Sequence, residues 1–116
     1  MLKIVVTIVS LLIATEAIAD DKRIVSGVGV STCKEFLEIV SAESTPAILV
    51  FFSWAQGFMA AQNIDKYKTN KTYRSIDGTI ELQQEFLRQY CKGYPDNYFS
   101  NAVQKMYESF PLKTLK

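Results

Sequence analysis

Apolar residues recur at helical spacing in four stretches of this chain, separated by polar or turn-forming residues. The first stretch opens on Thr32-Cys33-Lys34-Glu35, which has the form of a capping box. Its apolar residues then fall on one face, at Cys33, Phe36, Leu37 and Val40. The pattern predicts a short amphipathic helix that places Cys33 on its buried side.

The second stretch is apolar on almost every side. Thr45 followed by Pro46 is typical of a helix start, a capping side chain and then a proline at the first helical position. Residues 47–61 (AILVFFSWAQGFMAA) predict a central helix of about 15 residues, short of the roughly 20 that a bilayer span needs. Gly57 in mid-helix costs about 1 kcal/mol relative to alanine, so we expect another backbone or ring to approach closely there.

This central helix carries more apolar surface than three short neighbours can cover. We therefore expect an apolar groove or a dimer interface on it. The candidate binding or interface residues are Phe51, Phe52, Trp54, Phe58 and Met59.

Polar residues from Gln62 to Gly78 interrupt the apolar pattern and predict a long surface loop. Lysines and Arg74 alternate there with Tyr67 and Tyr73. Such a loop could contact an acidic partner or a nucleic acid, but the pattern favours a solvated connector.

Two further helices complete the pattern. Thr79 is a capping residue for a third helix that runs to Lys92 and stops at Gly93. Asp96 is expected to cap a fourth helix, whose apolar residues repeat until Pro111. The fold class predicted is therefore all-α, a small four-helix domain.

The N-terminus has the pattern of a secretory signal peptide. Lys3 supplies the positive charge, Ile4 to Ala14 the apolar stretch, and Ala17-Ile18-Ala19 a small-x-small cleavage site. We expect cleavage after Ala19, a periplasmic location and no membrane attachment afterwards. The division predicted is a signal peptide at 1–19, a flexible arm at 20–31 and one helical domain at 32–116.

An exported chain meets an oxidising compartment, where thiols pair and persist. Cys33 and Cys91 are the only two cysteines, so each has one partner available. A bond between them closes a loop of nearly 60 residues and stabilises the fold by about 4 kcal/mol in the chain-entropy model.

The composition argues against catalysis and against most ligands. The chain has no histidine, the side chain that most often transfers protons near neutral pH, and no glycine-rich phosphate-binding pattern. No catalytic residue, metal site or cofactor is therefore predicted, and the protein is not expected to be an enzyme. Cleavage after Ala19 would remove Lys3 and Glu16 and leave 12 basic and 11 acidic residues, too balanced a charge to attract nucleic acid.

Taken in order, these parts resemble the HdeA/HdeB family of periplasmic acid-stress chaperones. The resemblance lies in the signal peptide, in Thr32-Cys33-Lys34-Glu35-Phe36 opening a helix, and in the apolar helix around Trp54. It continues in Tyr90-Cys91-Lys92, in Pro95 and in a closing helix with Ala102 and Val103.

The resemblance implies a helical domain with a Cys33–Cys91 bond, a homodimer near neutral pH, and apolar surface that binds unfolded or acid-labile proteins in acid. The residues leave a second function open. A small exported helical protein could instead be an immunity or inhibitor protein that binds one specific toxin or enzyme.

Overall fold

A computed structural model describes residues 25–115 of the chain. The predicted signal peptide and residues 20–24 of the predicted arm lie outside the described residues. The elements in chain order are a 3-10 turn at Gly27–Val30, α1 at Cys33–Ser41, α2 at Thr45–Asn70, β1 at Thr72–Arg74, α3 at Ile80–Gly93, α4 at Phe99–Ser109 and β2 at Leu112–Thr114. The predicted four-helix class is confirmed, with a small two-stranded sheet added to it.

The side-chain caps predicted for the first and third helices are confirmed. In α1 the Thr32 hydroxyl accepts a bond from the Glu35 amide at 3.1 Å, and the Glu35 carboxylate accepts one from the Thr32 amide at 3.0 Å. In α3 the Thr79 hydroxyl accepts from the Leu82 amide at 3.2 Å. These bonds satisfy backbone donors that have no partner within the helix.

Two predicted caps are wrong. The capping position of α2 is Ser44, and Thr45 is its first helical residue. Asp96 does not cap α4, which starts at Phe99 after Tyr98. The Phe99 amide instead donates to the carbonyl of Ser31 at 2.7 Å, so a backbone group from the N-terminal segment replaces the side-chain cap.

The predicted loop from Gln62 to Gly78 is also wrong over most of its length. The helix α2 continues to Asn70, since no glycine or proline interrupts residues 62–70, and it ends where Lys71 adopts a left-handed conformation with φ 59°. Thr72–Arg74 then pairs antiparallel with Leu112–Thr114, with Tyr73 opposite Lys113. Only the part after β1 remains a connecting loop.

The core joins all four helices. Cys33 and Cys91 are both fully buried and form the predicted disulfide, with 4.8 Å between their Cα atoms. Beside it, the rings of Phe36, Phe51 and Phe99 pack with centroids 4.9 to 5.5 Å apart. One covalent bond and one aromatic cluster thus hold α1, α2, α3 and α4 together.

The expectation of a flexible arm up to residue 31 does not hold from Gly27 onward. This segment, which we call the N-terminal strap (residues 25–31), forms a 3-10 turn and lies against Trp54. The Trp54 indole N–H donates to the carbonyl of Ser26 at 3.0 Å. Gly29 is buried under the same ring. A Cβ at this position would come within 2.1 Å of the Trp54 Cζ2 atom, so only glycine fits without a shift of the strap or the ring.

Candidate functional site

The five candidate residues of α2 fall into two groups. Phe51 and Met59 point into the core and are almost fully buried. Phe52, Trp54 and Phe58 are half-buried at its edge. Phe51 and Met59 can reach a partner only if the helices separate, whereas the other three have part of their surface in solvent.

Trp54 and Phe58 form a stacked pair, with ring centroids 4.9 Å apart and planes 19° from parallel. The pair lines an open cavity of about 340 Å³ together with Ser53 and Gly57 on one side and Val25 and Ser26 of the strap on the other. The strap therefore covers one edge of the aromatic pair and leaves the other edge open.

Gly57 does not meet a neighbour, contrary to the expectation from the sequence. A Cβ at this position would have no atom within 4 Å. The close approach that a glycine permits occurs at Gly29 instead. Gly57 is exposed, and no other element packs on the surface of α2 around it.

This uncovered surface is a continuous, uncharged stripe along α2, which we call the α2 face. Its exposed residues recur at helical spacing and are Pro46, Leu49, Val50, Ser53, Gly57, Ala60, Ala61 and Ile64. At 1.5 Å per residue the stripe is about 27 Å long. Leu49 and Val50 remain about half exposed, at 49% and 54%.

The burial of α2 is low for so apolar a helix. Within the described residues it is the one helix long and apolar enough to cross a membrane by length and composition, as many core helices also are. Only 17% of its most apolar 18-residue window is buried. Long exposed apolar surfaces of this kind are typical of sites that bind a partner.

A second apolar surface lies on α3. Leu82 and Phe86 line a cavity of about 240 Å³ with Met106 and Phe110. Leu82 is 66% exposed. Unlike the α2 face, this surface includes a charged residue, Asp77.

The far end of α2 is fixed by polar contacts. The Asn63 side chain accepts from the Arg74 amide at 2.8 Å and donates to the Arg74 carbonyl at 2.9 Å. The Tyr107 hydroxyl donates to the same Asn63 oxygen at 2.6 Å, and the Arg74 guanidinium donates to the Phe110 carbonyl at 2.8 Å. Burial raises the pKa of Tyr107, which keeps this hydroxyl protonated as a donor.

The described residues offer no arrangement for metal chemistry, since no three acidic, cysteine or histidine side chains among them come together. Charged contacts are also few. The two ion pairs of the described chain, Arg88 with Glu85 and Lys105 with Glu108, are exposed and each lies within one helix.

These features define a small, disulfide-bonded helical domain with an uncovered apolar helix face. A protein-family model described as the HdeA/HdeB family matches residues 2–101. The chain belongs to the HdeA/HdeB family, whose members are periplasmic acid-stress chaperones and not enzymes. Searches of curated proteins and of solved structures find no match.

Proposed function

We propose that this protein is a periplasmic acid-stress chaperone that keeps its α2 face against a second copy at neutral pH and offers it to unfolding proteins in acid. The observation that carries the proposal is the uncovered, uncharged α2 face. The family supports the kind of function, and the predicted signal peptide supports the location. Trp54 and Phe58 border the same face and extend its apolar area.

Acid acts on this molecule through charge rather than through one titrating switch. With no histidine, the groups that take up protons are Asp and Glu, whose reference pKa values are about 3.9 and 4.3. After cleavage the side-chain charge would rise from +1 toward roughly +12 as 11 carboxylates protonate. Two such copies repel each other, which favours their separation.

The single domain is expected to keep much of its structure during this change. Its ion pairs within the described residues join no two elements, so protonation removes no link between helices. The links between elements are the Cys33–Cys91 bond, the apolar core and neutral hydrogen bonds such as those of Asn63. Acid should therefore separate copies before it unfolds the chain.

The test uses substitutions at Val50, which is 54% exposed in the N-terminal half of the α2 face. Val50→Glu introduces a charge at pH 7 that is lost near pH 2, whereas Val50→Lys is charged at both values. We expect both variants to be monomeric at pH 7. At pH 2, Val50→Glu should still suppress aggregation of an acid-labile protein, and Val50→Lys should lose most of this protection.

The matched controls are Asn101→Glu and Asn101→Lys, at an exposed polar position of α4. Both should behave as the unsubstituted protein in mass measurements and in the aggregation assay. If the unsubstituted protein keeps its mass from pH 7 to pH 2 and protects nothing in acid, the chaperone proposal is wrong. Protection that survives in Val50→Lys would place client binding away from the α2 face.

The inhibitor function remains the alternative. The basic, tyrosine-bearing segment on which it depends is the end of α2 and β1 rather than a loop, and Lys71 and Tyr67 are exposed there. A pull-down at pH 7 and at pH 3 separates the two functions. One stoichiometric partner at pH 7 supports an inhibitor, and many partners only at pH 3 support a chaperone.

A further inference from the structure

A cavity of about 390 Å³ lies at the C-terminal end of α2, away from the Trp54–Phe58 pair. Its lining comes from α2, β1 and the end of the chain, and consists of Asn63, Ile64, Tyr67, Lys68, Tyr73 and Leu115. The volume is at the lower end of the range for small-molecule sites, about 300 to 1,000 Å³. We call it the tyrosine cavity.

The walls of the tyrosine cavity are apolar. Ile64, Tyr67 and Leu115 lie in it with 57%, 43% and 51% of their surfaces exposed. Asn63 also lines it, but its side chain already bonds Arg74 and Tyr107. A ligand would therefore meet hydrocarbon and aromatic surface at the base of the cavity.

The rim is positively charged. Lys68 lines the cavity, and the Lys71 ammonium lies 4.5 Å from the centre of the Tyr67 ring. Lys113 lies directly opposite Tyr73 in the β1–β2 pair, so the two side chains leave the same face of the sheet. No Asp or Glu of the described chain lines the cavity. The helix C-terminus contributes about half a negative charge, which three ammonium groups exceed.

From this combination we infer that the tyrosine cavity binds a medium-chain fatty acid. The alkyl chain lies between Tyr67, Tyr73 and Leu115, and the carboxylate is held by Lys68 and Lys113.

This site borders the α2 face at Ile64 but does not rest on the proposed chaperone function. It requires an ionised carboxylate and so works at neutral pH, whereas client binding is proposed for acid. The lysines that define it lie outside the α2 face. The Val50 variants test the chaperone function, and substitutions of Lys68 and Lys113 test the fatty-acid site.

The experiment titrates the mature, disulfide-bonded protein with laurate at pH 7, below the concentration at which laurate forms micelles. Calorimetry and backbone amide NMR spectra follow the binding. We expect saturable binding, with the largest shifts at Tyr67, Tyr73 and Leu115. Dodecyltrimethylammonium has an alkyl chain of nearly the same length with a positive head, and it should bind at least tenfold more weakly.

The double substitution Lys68→Glu/Lys113→Glu should weaken laurate binding at least tenfold, while Lys34→Glu on α1 should leave it unchanged. Circular dichroism checks that each variant keeps its helical content. Equal affinity for the two amphiphiles, an unaffected double variant, or shifts centred on Trp54 would each overturn the inference. The inference is also overturned if laurate does not bind to the protein. Binding to anionic phospholipid vesicles without binding of free laurate would count as the same negative result, because it would indicate a membrane surface as the ligand.

Discussion

Two glycines show how far a single residue can be interpreted from sequence. Gly57 interrupts an apolar helix, so the sequence pointed to a tight contact there, yet the position is open. Gly29 lies in a short segment of valine, glycine and serine with no helical periodicity, and it is the residue that meets Trp54. The difference arises because a glycine's neighbours across the fold are not visible in its local sequence.

Alanine substitutions at these two positions should have opposite effects. In Gly29→Ala the new methyl group falls 2.1 and 2.4 Å from two atoms of the rigid Trp54 ring, so either the strap or the indole must move. We expect a loss of about 1 to 3 kcal/mol in the free energy of unfolding. Gly57→Ala should instead gain about 1 kcal/mol, because it adds a good helix former in open space.

Urea unfolding gives both free energies, and Trp54 fluorescence reports on the strap directly. The emission of Gly29→Ala should shift toward that of a hydrated indole, and that of Gly57→Ala should not. An unchanged emission and stability in Gly29→Ala would mean that the strap does not hold the ring in solution.

Whole elements were predictable from the sequence where local chemistry decides them. The capping box of α1, the Thr79 cap of α3 and the stop at Gly93 depend on neighbouring residues, and the structure confirms them. The last nine residues of α2 and the strands β1 and β2 depend on distant ones. The two strands have three residues each and pair across about 40 positions, so they show no detectable alternation of polar and apolar residues. The polar residues at the end of α2 stay helical because tertiary contacts, such as those of Asn63, fix that end.

The candidate site was predicted in part for the same reason. Apolar character directed the prediction to α2, which does carry an uncovered apolar face, but choosing the bulkiest side chains selected two core residues, Phe51 and Met59. The exposed members are smaller, among them Val50 and Ala60. Which side of an all-apolar helix faces solvent depends on where its neighbours pack, and the periodicity of α2 does not encode it.

The helix α3 carries a carboxylate, Glu85, whose pKa is shifted in the folded protein. Hydrogen bonds from Gln89 and then Arg88 hold the pKa of Glu85 below its usual range. A lowered pKa in the folded state means that the contribution of Glu85 to stability is present above the pKa of the unfolded chain. That contribution is lost as the pH falls through the lower pKa of the folded state.

Glu85→Gln should therefore make the stability of the protein less dependent on pH in the acid range. NMR titration of the Glu85 carboxyl group should give a midpoint below that of glutamate in a short peptide. Because the side chain is exposed, the effect should shrink in high salt. A midpoint at or above the peptide value would contradict the hydrogen-bonded arrangement.

At the scale of the whole molecule, the disulfide joins elements that are distant in sequence. Cys33 begins α1 and Cys91 lies near the end of α3, 58 residues further along the chain. The double variant Cys33→Ala/Cys91→Ala should lose about 4 kcal/mol of stability, because the unfolded chain regains the entropy of an open loop. Urea unfolding of the oxidised protein, the reduced protein and the variant measures this loss.

The reduced protein and the double variant should agree with each other, since both lack the bond. Both should keep helical circular dichroism at low temperature if the aromatic core folds without the bond. An oxidised protein that is no more stable than the variant would show that the bond does not constrain the unfolded chain.

The ring closed by this disulfide also determines what a single peptide-bond cleavage by a protease would do. Residues 34–90 lie inside the ring, so a cut between β1 and α3 leaves the two fragments covalently attached. A cut at residues 94–98 would release α4, which supplies Phe99, Val103, Met106 and Tyr107 to the core. This short segment is held by backbone bonds from Cys33 to Asn97 and from Lys34 to Pro95. The connection whose loss would release a whole helix is therefore tied to the start of α1 by two backbone hydrogen bonds, which a protease must break to bind the segment in an extended form.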